Sequence, residues 1–319
     1  MVNEEQRRLL VLCALRVGKQ SVDWSLIARE AVRDGGLDRL WRGELVEESK
    51  AATESLPLLG EGLTSDAERA DERVDAELRL AEAAGARLVT VLDAADETYP
   101  VNLRLIPNLP PFLFVLGGPI IDSDIYSVAV VGTRDATDEG RQRSAAMARK
   151  LVEHDVTVVS GLAKGIDTAA LRAAIDAGGR TIGVIGTGIT KAYPAENKAL
   201  QAEVAGHGAV VSQFWPSAGP ATWTFPRRNV VMSGISQGTV VIEASQTSGA
   251  KMQARLALEH GKRVFLVSSL VSAEKWADGY ARTRGAIVVE RVEDVIGQLA
   301  QPERVRDVAL SRQLHLDLV

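Results

Sequence analysis

SVAVVGTR (127–134), VTVVSGLAKGID (156–167) and TIGVIGTG (181–188) decide the fold. Each is a short β-branched run that ends in a glycine-bearing loop ahead of a helical pattern. Four further runs follow: AVVS (209–212), TVVIE (239–243), RVFLV (263–267) and AIVVE (286–290). Near-continuous apolar strands separated by amphipathic helices predict a parallel sheet covered on both faces. The fold class is therefore α/β, a doubly wound, mostly parallel Rossmann-like sheet.

In such sheets ligands sit outside the carboxyl ends of the strands, so the residues just past each run carry the information. After the first come Gly132, Thr133 and Arg134. The second ends at Ser160 and continues through Gly161, Ala163, Lys164, Gly165 and Asp167, and the third supplies Gly186 and Gly188. Glycine lets backbone N–H groups approach an anion, and a following helix N-terminus adds its positive dipole end. One such loop is usually a tight turn. Three on one sheet edge, with Arg134 and Lys164 among them, point to a phosphate site. The loops lack both the G-x-G-x-x-G fingerprint of dinucleotide binders and the Gly-Lys-Ser/Thr ending of a phosphate-binding P-loop.

A second constellation is Trp223-Thr224-Phe225-Pro226-Arg227-Arg228-Asn229, preceded by Phe214-Trp215-Pro216. Of 14 aromatic residues in the chain, four crowd into 214–225. Arg227 and Arg228 can hold phosphates while Trp223 and Phe225 offer faces on which unpaired bases stack, the combination that holds single strands without a sequence code. Phe214 and Trp215 fit equally well a plug that packs the loop onto the core.

The 319 residues allow two domains, and the composition, 46% hydrophobic and 25% charged, is that of a globular chain. Residues 1–82 read as a small helical N-terminal domain, 83–300 as the extended Rossmann-like domain, and 301–319 as a C-terminal tail. Within the first, Ser65 or Asp66 is the expected N-cap of a long helix. Pro100, Pro107, Pro110 and Pro111 mark the junction. Residues 1–100 carry 13 Lys and Arg against 21 Asp and Glu, whereas the remainder carries 24 against 21. A polyanion would thus meet the second region.

No apolar run is long enough for a membrane span and no cleavable leader is evident, so the cytoplasm is the expected compartment. Cys13 stands alone, which leaves no disulfide framework, and no metal-ligand spacing appears. The residues name no cofactor and no catalytic group. His154, His207, His260 and His315 read as solvated surface. Asp167 reads as a helix N-cap ahead of a general base. Glu243 reads either as a candidate acid or as a strand-terminal carboxylate that accepts N–H bonds.

The same residues carry a family likeness. Tyr99-Pro100, Leu103, Pro110-Pro111 and Gly117, then VVGTR (130–134), SGLAKGID (160–167), GTGI…YP…N…L (186–200), FPRRN (225–229), IEA…SGA…A…A (242–257) and GKRVF resemble the DNA-processing protein A (DprA/Smf) family. The resemblance covers about residues 75–290. It implies a homodimer that binds single-stranded DNA without catalysis and passes it to the RecA recombinase in natural transformation. Its phosphate-binding positions fall on Arg134, the 160–167 loop, Gly186, Gly188 and FPRRN. The sequence departs from the family at Leu171, Gln213, Val230 and Ser268-Ser269, and no stretch corresponds to the C-terminal winged-helix domain of many members. These departures leave two settings open: DNA uptake and RecA loading, or a specialised antiphage or toxin–antitoxin paralogue. Gly238-Thr239 and Glu243 keep open an alternative: a nucleotide sensor, or a hydrolase of N-glycosidic bonds on a related fold.

Overall fold

The structure is a computed structural model that describes residues 2–93 and 99–316, with side chains through Ser311. Five helices come first: α1 Glu4–Ala14, α2 Trp24–Ala31, α3 Gly36–Trp41, α4 Lys50–Ser65 and α5 Ala67–Ala83. Asn3 caps α1 through a reciprocal pair with Gln6, and the Asp23 carboxylate caps α2 at the Leu26 N–H. Asp66 occupies the N-cap position of α5, but its carboxylate makes no cap bond to that helix's N–H groups. It accepts the Arg16 N–H and pairs with Arg73.

Nine strands form one sheet: β1 Arg87–Thr90, β2 Phe112–Gly117, β3 Ser127–Val131, β4 Thr157–Ser160, β5 Thr181–Val184, β6 Gly208–Ser212, β7 Gly238–Val241, β8 Arg263–Val267 and β9 Ile287–Val289. Their order is β1-β2-β6-β5-β4-β3-β7-β8-β9. All pairings from β6 through β9 are parallel, as the uniformly apolar runs require. The strand FLFVLG was not expected; it runs antiparallel to both β1 and β6 and widens the sheet beyond the parallel core. Its apolar run sits directly after Pro110-Pro111, two of the prolines that mark the junction.

Helices α6 Asp138–Glu153, α7 Ile166–Asp176 and α8 Lys198–Gly206 follow β3, β4 and β5, while α9 Thr224–Ile235 precedes β7. Then come α10 Gly249–Glu259, α11 Ser268–Ala273, α12 Lys275–Thr283 and α13 Val292–Ile296. The segment taken for a tail contains a helix, α14 Pro302–Leu316, packed against residues 101–105.

One topological fact positions the site. The chain leaves β3 through α6 to β4 on one side, and after β6 it returns through α9 to β7 on the other. Strand order therefore reverses between β3 and β7, and the crevice outside their carboxyl ends is where such folds take ligands. The helical unit is tied to the sheet by an aromatic cluster. Trp24 lies 5.0 Å from Phe112 and 5.9 Å from Trp215, and Phe112 lies 4.7 Å from Trp215. Trp215 thus packs as a plug, as does Phe214, which is 3% exposed.

Candidate nucleic-acid interface

A cleft of about 440 Å³ opens at the β3/β7 switch point. One wall is the loop after β3, with Gly132, Thr133 and Arg134. The facing wall is the segment after β7 from Ser245 into α10, and the first turns of α9 lie between them. Arg134 is exposed, no described carboxylate lies within ion-pair distance, and its guanidinium sits 5.4 Å over the Phe225 ring. Tyr193 flanks the same ring at 5.5 Å.

FPRRN does not form a loop. It builds the first turns of α9, where Pro226 is tolerated because first-turn N–H groups have no partner inside the helix. The helix frame separates the two arginines. Arg227 points outward, with its guanidinium 5.9 Å over the ring of Trp223, which is 58% exposed. Arg228 is 7% exposed and turned inward, donating to the carbonyls of Gly161 and Val184 and to Asn229 Oδ1. The expectation of two phosphate-holding arginines is corrected on this point, since Arg228 is an internal strut.

The 160–167 loop is organised around that strut. Asp167 is not the N-cap of α7, a position held by Gly165; its buried carboxylate accepts the N–H groups of Gly161 and Ala163. Burial pushes the Asp167 carboxyl above its ordinary value, opposed by the charge of Arg228 and by these N–H donors. Burial likewise lowers Arg228. The Gly161 peptide is thus clamped, its N–H on Asp167 and its carbonyl on Arg228. A side chain at Gly161 would collide with the guanidinium. Gly165 has φ +75°, and a Cβ there would strike the carbonyls of Thr133 and Arg134, so this glycine lets two cleft loops touch.

Other expected positions fall differently. Ser160 is fully buried and spends its hydroxyl on the Val130 carbonyl, inside the sheet. Lys164 is half exposed and paired with Glu196 at 2.7 Å. Gly186 backs onto the Phe225 ring, whereas Gly188 packs against the carbonyls of Trp215 and Pro216, away from the cleft. Only the first two of the three glycine loops flank the switch point, because β5 lies two strands from β3.

Glu243 accepts the N–H and hydroxyl of Thr137, and Thr239 is sealed within β7. Neither lines the cleft. Among the described residues no group of three or more His, Cys, Asp or Glu could hold a metal ion. His154 and His207 are exposed, but His260 is half-buried against the Ser233 hydroxyl, and burial lowers it to about 4. The His315 side chain lies outside the described residues.

The wall after β7 was missed. It carries Ser245, Thr247, Ser248 and Gln253, and both amide atoms of Gln253, 1% exposed, lack a hydrogen-bond partner among the described residues. The polar run SQTSG (245–249) was visible, but its importance depends on β7 lying beside β3.

Fold and site together define an open α/β protein whose switch-point cleft is lined by glycine loops and bordered by aromatic rings under arginines. The chain belongs to the DNA recombination-mediator protein A family, whose family model matches residues 90–300. It is 34% identical over 218 residues to the DNA processing protein DprA of Bacillus subtilis, covering 68% of this chain and 72% of that one. It is 36% identical over 205 residues to DprA of Streptococcus pneumoniae, covering 64% and 72%. The X-ray structure of DNA processing protein A from Streptococcus pneumoniae superposes with a TM-score of 0.70 at 27% identity, covering 94% of this chain and 99% of that chain. A structure from Helicobacter pylori, concerned with that protein's single-stranded DNA binding mode, gives 0.58 at 23% identity over 66% and 94% of the two chains, a likeness of fold.

Proposed function

We propose that this protein binds single-stranded DNA non-catalytically across the mouth of the switch-point cleft. The observation that carries this reading is the pairing along the start of α9: two aromatic rings, Phe225 and Trp223, each under an arginine that no described carboxylate neutralises, Arg134 and Arg227. Cations track a phosphate backbone while ring faces accept any base.

Family membership and the Helicobacter pylori relative support the same ligand. The proposal extends to a homodimer that hands its strand to the RecA recombinase. No described helix is long and apolar enough to cross a membrane. The test is a titration with fluorescent oligo-dT across salt concentrations, alongside mononucleotides. Arg134 and Arg227 together predict a log–log salt slope of about −1.4, or about −2 if Lys164 exchanges Glu196 for a phosphate. Base release from a nucleoside monophosphate, or salt-independent affinity, refutes the proposal.

A further inference from the structure

We infer that the helical N-terminal unit carries a second segment of the single-strand track, a groove that continues the switch-point cleft past Trp223. The inference rests on the single-stranded DNA reading of the cleft. Thr222 and Phe225 line the cleft, while Trp223, between them in sequence, lines two hollows on its other side. These hollows, of about 440 and 830 Å³, lie between the start of α9 and the 15–24 segment of the helical unit. Trp223 stands edge-on to buried Phe214 at 5.7 Å, which holds the exposed indole upright between them.

Charge runs against the acidic character of the unit. Most of its arginines are spent on its own carboxylates: Arg7 on Asp71 and Asp75, Arg29 on Glu47, Arg73 on Asp66. Arg16 and Lys19 are exposed, and no described carboxylate pairs with either side chain; they line the two hollows, with Arg227 on the opposite wall. The carboxylates of the groove are tied down, though the hydrogen bonds of Asp23 and Glu77 orient their charge without cancelling it. Asp23 caps α2, Glu54 pairs with Lys50 at 3.7 Å, and Glu77 accepts the Ser217 N–H at 2.9 Å. An exposed aromatic face flanked by three unneutralised cations fits a polyanion with stackable bases. An apolar peptide would leave those cations without a partner.

The test compares wild type, Arg16→Gln/Lys19→Gln and Arg134→Gln on fluorescent oligo-dT of about 5 and about 16 nucleotides, lengths within the range of single-strand site sizes. Both N-terminal side chains are exposed and lie outside the helices, so the double variant folds; circular dichroism checks this. The double variant should bind the short oligonucleotide like wild type. On the long one it should lose on the order of tenfold in affinity at 0.1 M salt, with a slope shallower by about 1.4, or about 0.7 per phosphate. Wild-type affinity and slope on the long oligonucleotide would overturn the groove; if Arg134→Gln then still loses binding at both lengths, the cleft reading survives. Failure of wild type to bind either length sinks both.

Discussion

Replacing Arg228 by methionine separates a structural arginine from a DNA-binding one. The change keeps a long apolar stem but removes a buried positive charge that faces buried Asp167 and satisfies the carbonyls of Gly161 and Val184. Removing one member of a buried, mutually compensating pair typically costs about 3–5 kcal/mol, because the other charge is left uncompensated. For a unit of this size that corresponds to roughly 10 °C in Tm. Arg228→Met/Asp167→Asn should recover more than half of the loss, since neither charge then remains and the asparagine carbonyl still accepts from Gly161. The assay is thermal unfolding by circular dichroism, paired with oligo-dT titrations well below the transition. There the salt slope of Arg228→Met should match wild type, while Arg227→Ala should reduce its magnitude by about 0.7. A Tm within about 2 °C of wild type, together with a slope reduced like that of Arg227→Ala, would show that Arg228 reaches phosphate, and the strut assignment would be wrong.

Trp223→Ala should leave stability within about 0.5 kcal/mol, because the ring is exposed, and should weaken oligo-dT binding by about 1–3 kcal/mol; Phe225→Ala, half-buried against Tyr193, should lower both Tm and affinity. Equal Tm losses for the two would place both rings in the core. Gln253→Met removes two buried amide atoms with no described partner and should raise stability by about 1 kcal/mol in chemical denaturation; a loss would reveal that the amide is hydrogen-bonded. His260, lowered to about 4 from 6.5, makes the unfolded chain bind more protons between those values. Stability should therefore be complete above about pH 6.5 and fall as pH drops toward 4, by about 1–2 kcal/mol after allowance for partial exposure. His260→Gln should flatten the Tm profile across that window, and an unchanged profile would assign the acid sensitivity elsewhere.

The sequence by itself determined the parallel core. Val128–Val131, Val158–Val159 and Val264–Val267 are apolar on both faces, and only a sheet covered on both sides accommodates such runs. It also determined two of the cleft-forming loops, because glycine and arginine directly after a strand state both the backbone freedom and the charge. FLFVLG escaped although its apolar run, bounded by Pro110-Pro111 and Gly117-Gly118, is itself a strand signal, because the neighbouring prolines also read as a domain junction.

What only the tertiary structure decided is which loops meet and which side chains remain free. Strand order arises from non-local pairing, so the adjacency of β3 and β7, and with it the role of SQTSG and Gln253, has no local signature. The divergence of Arg227 and Arg228 has a similar cause. Neighbours on a helix lie about 100° apart, so once α9 is anchored one guanidinium faces solvent beside Trp223 and the next is driven under the Gly161 peptide. Composition marks residues 1–82 as acidic, but ion pairing within the fold consumes most of its arginines and leaves Arg16 and Lys19 beside the exposed indole. Net charge is a sum over the sequence, whereas the field met by a ligand is set by the charges the fold leaves unpaired.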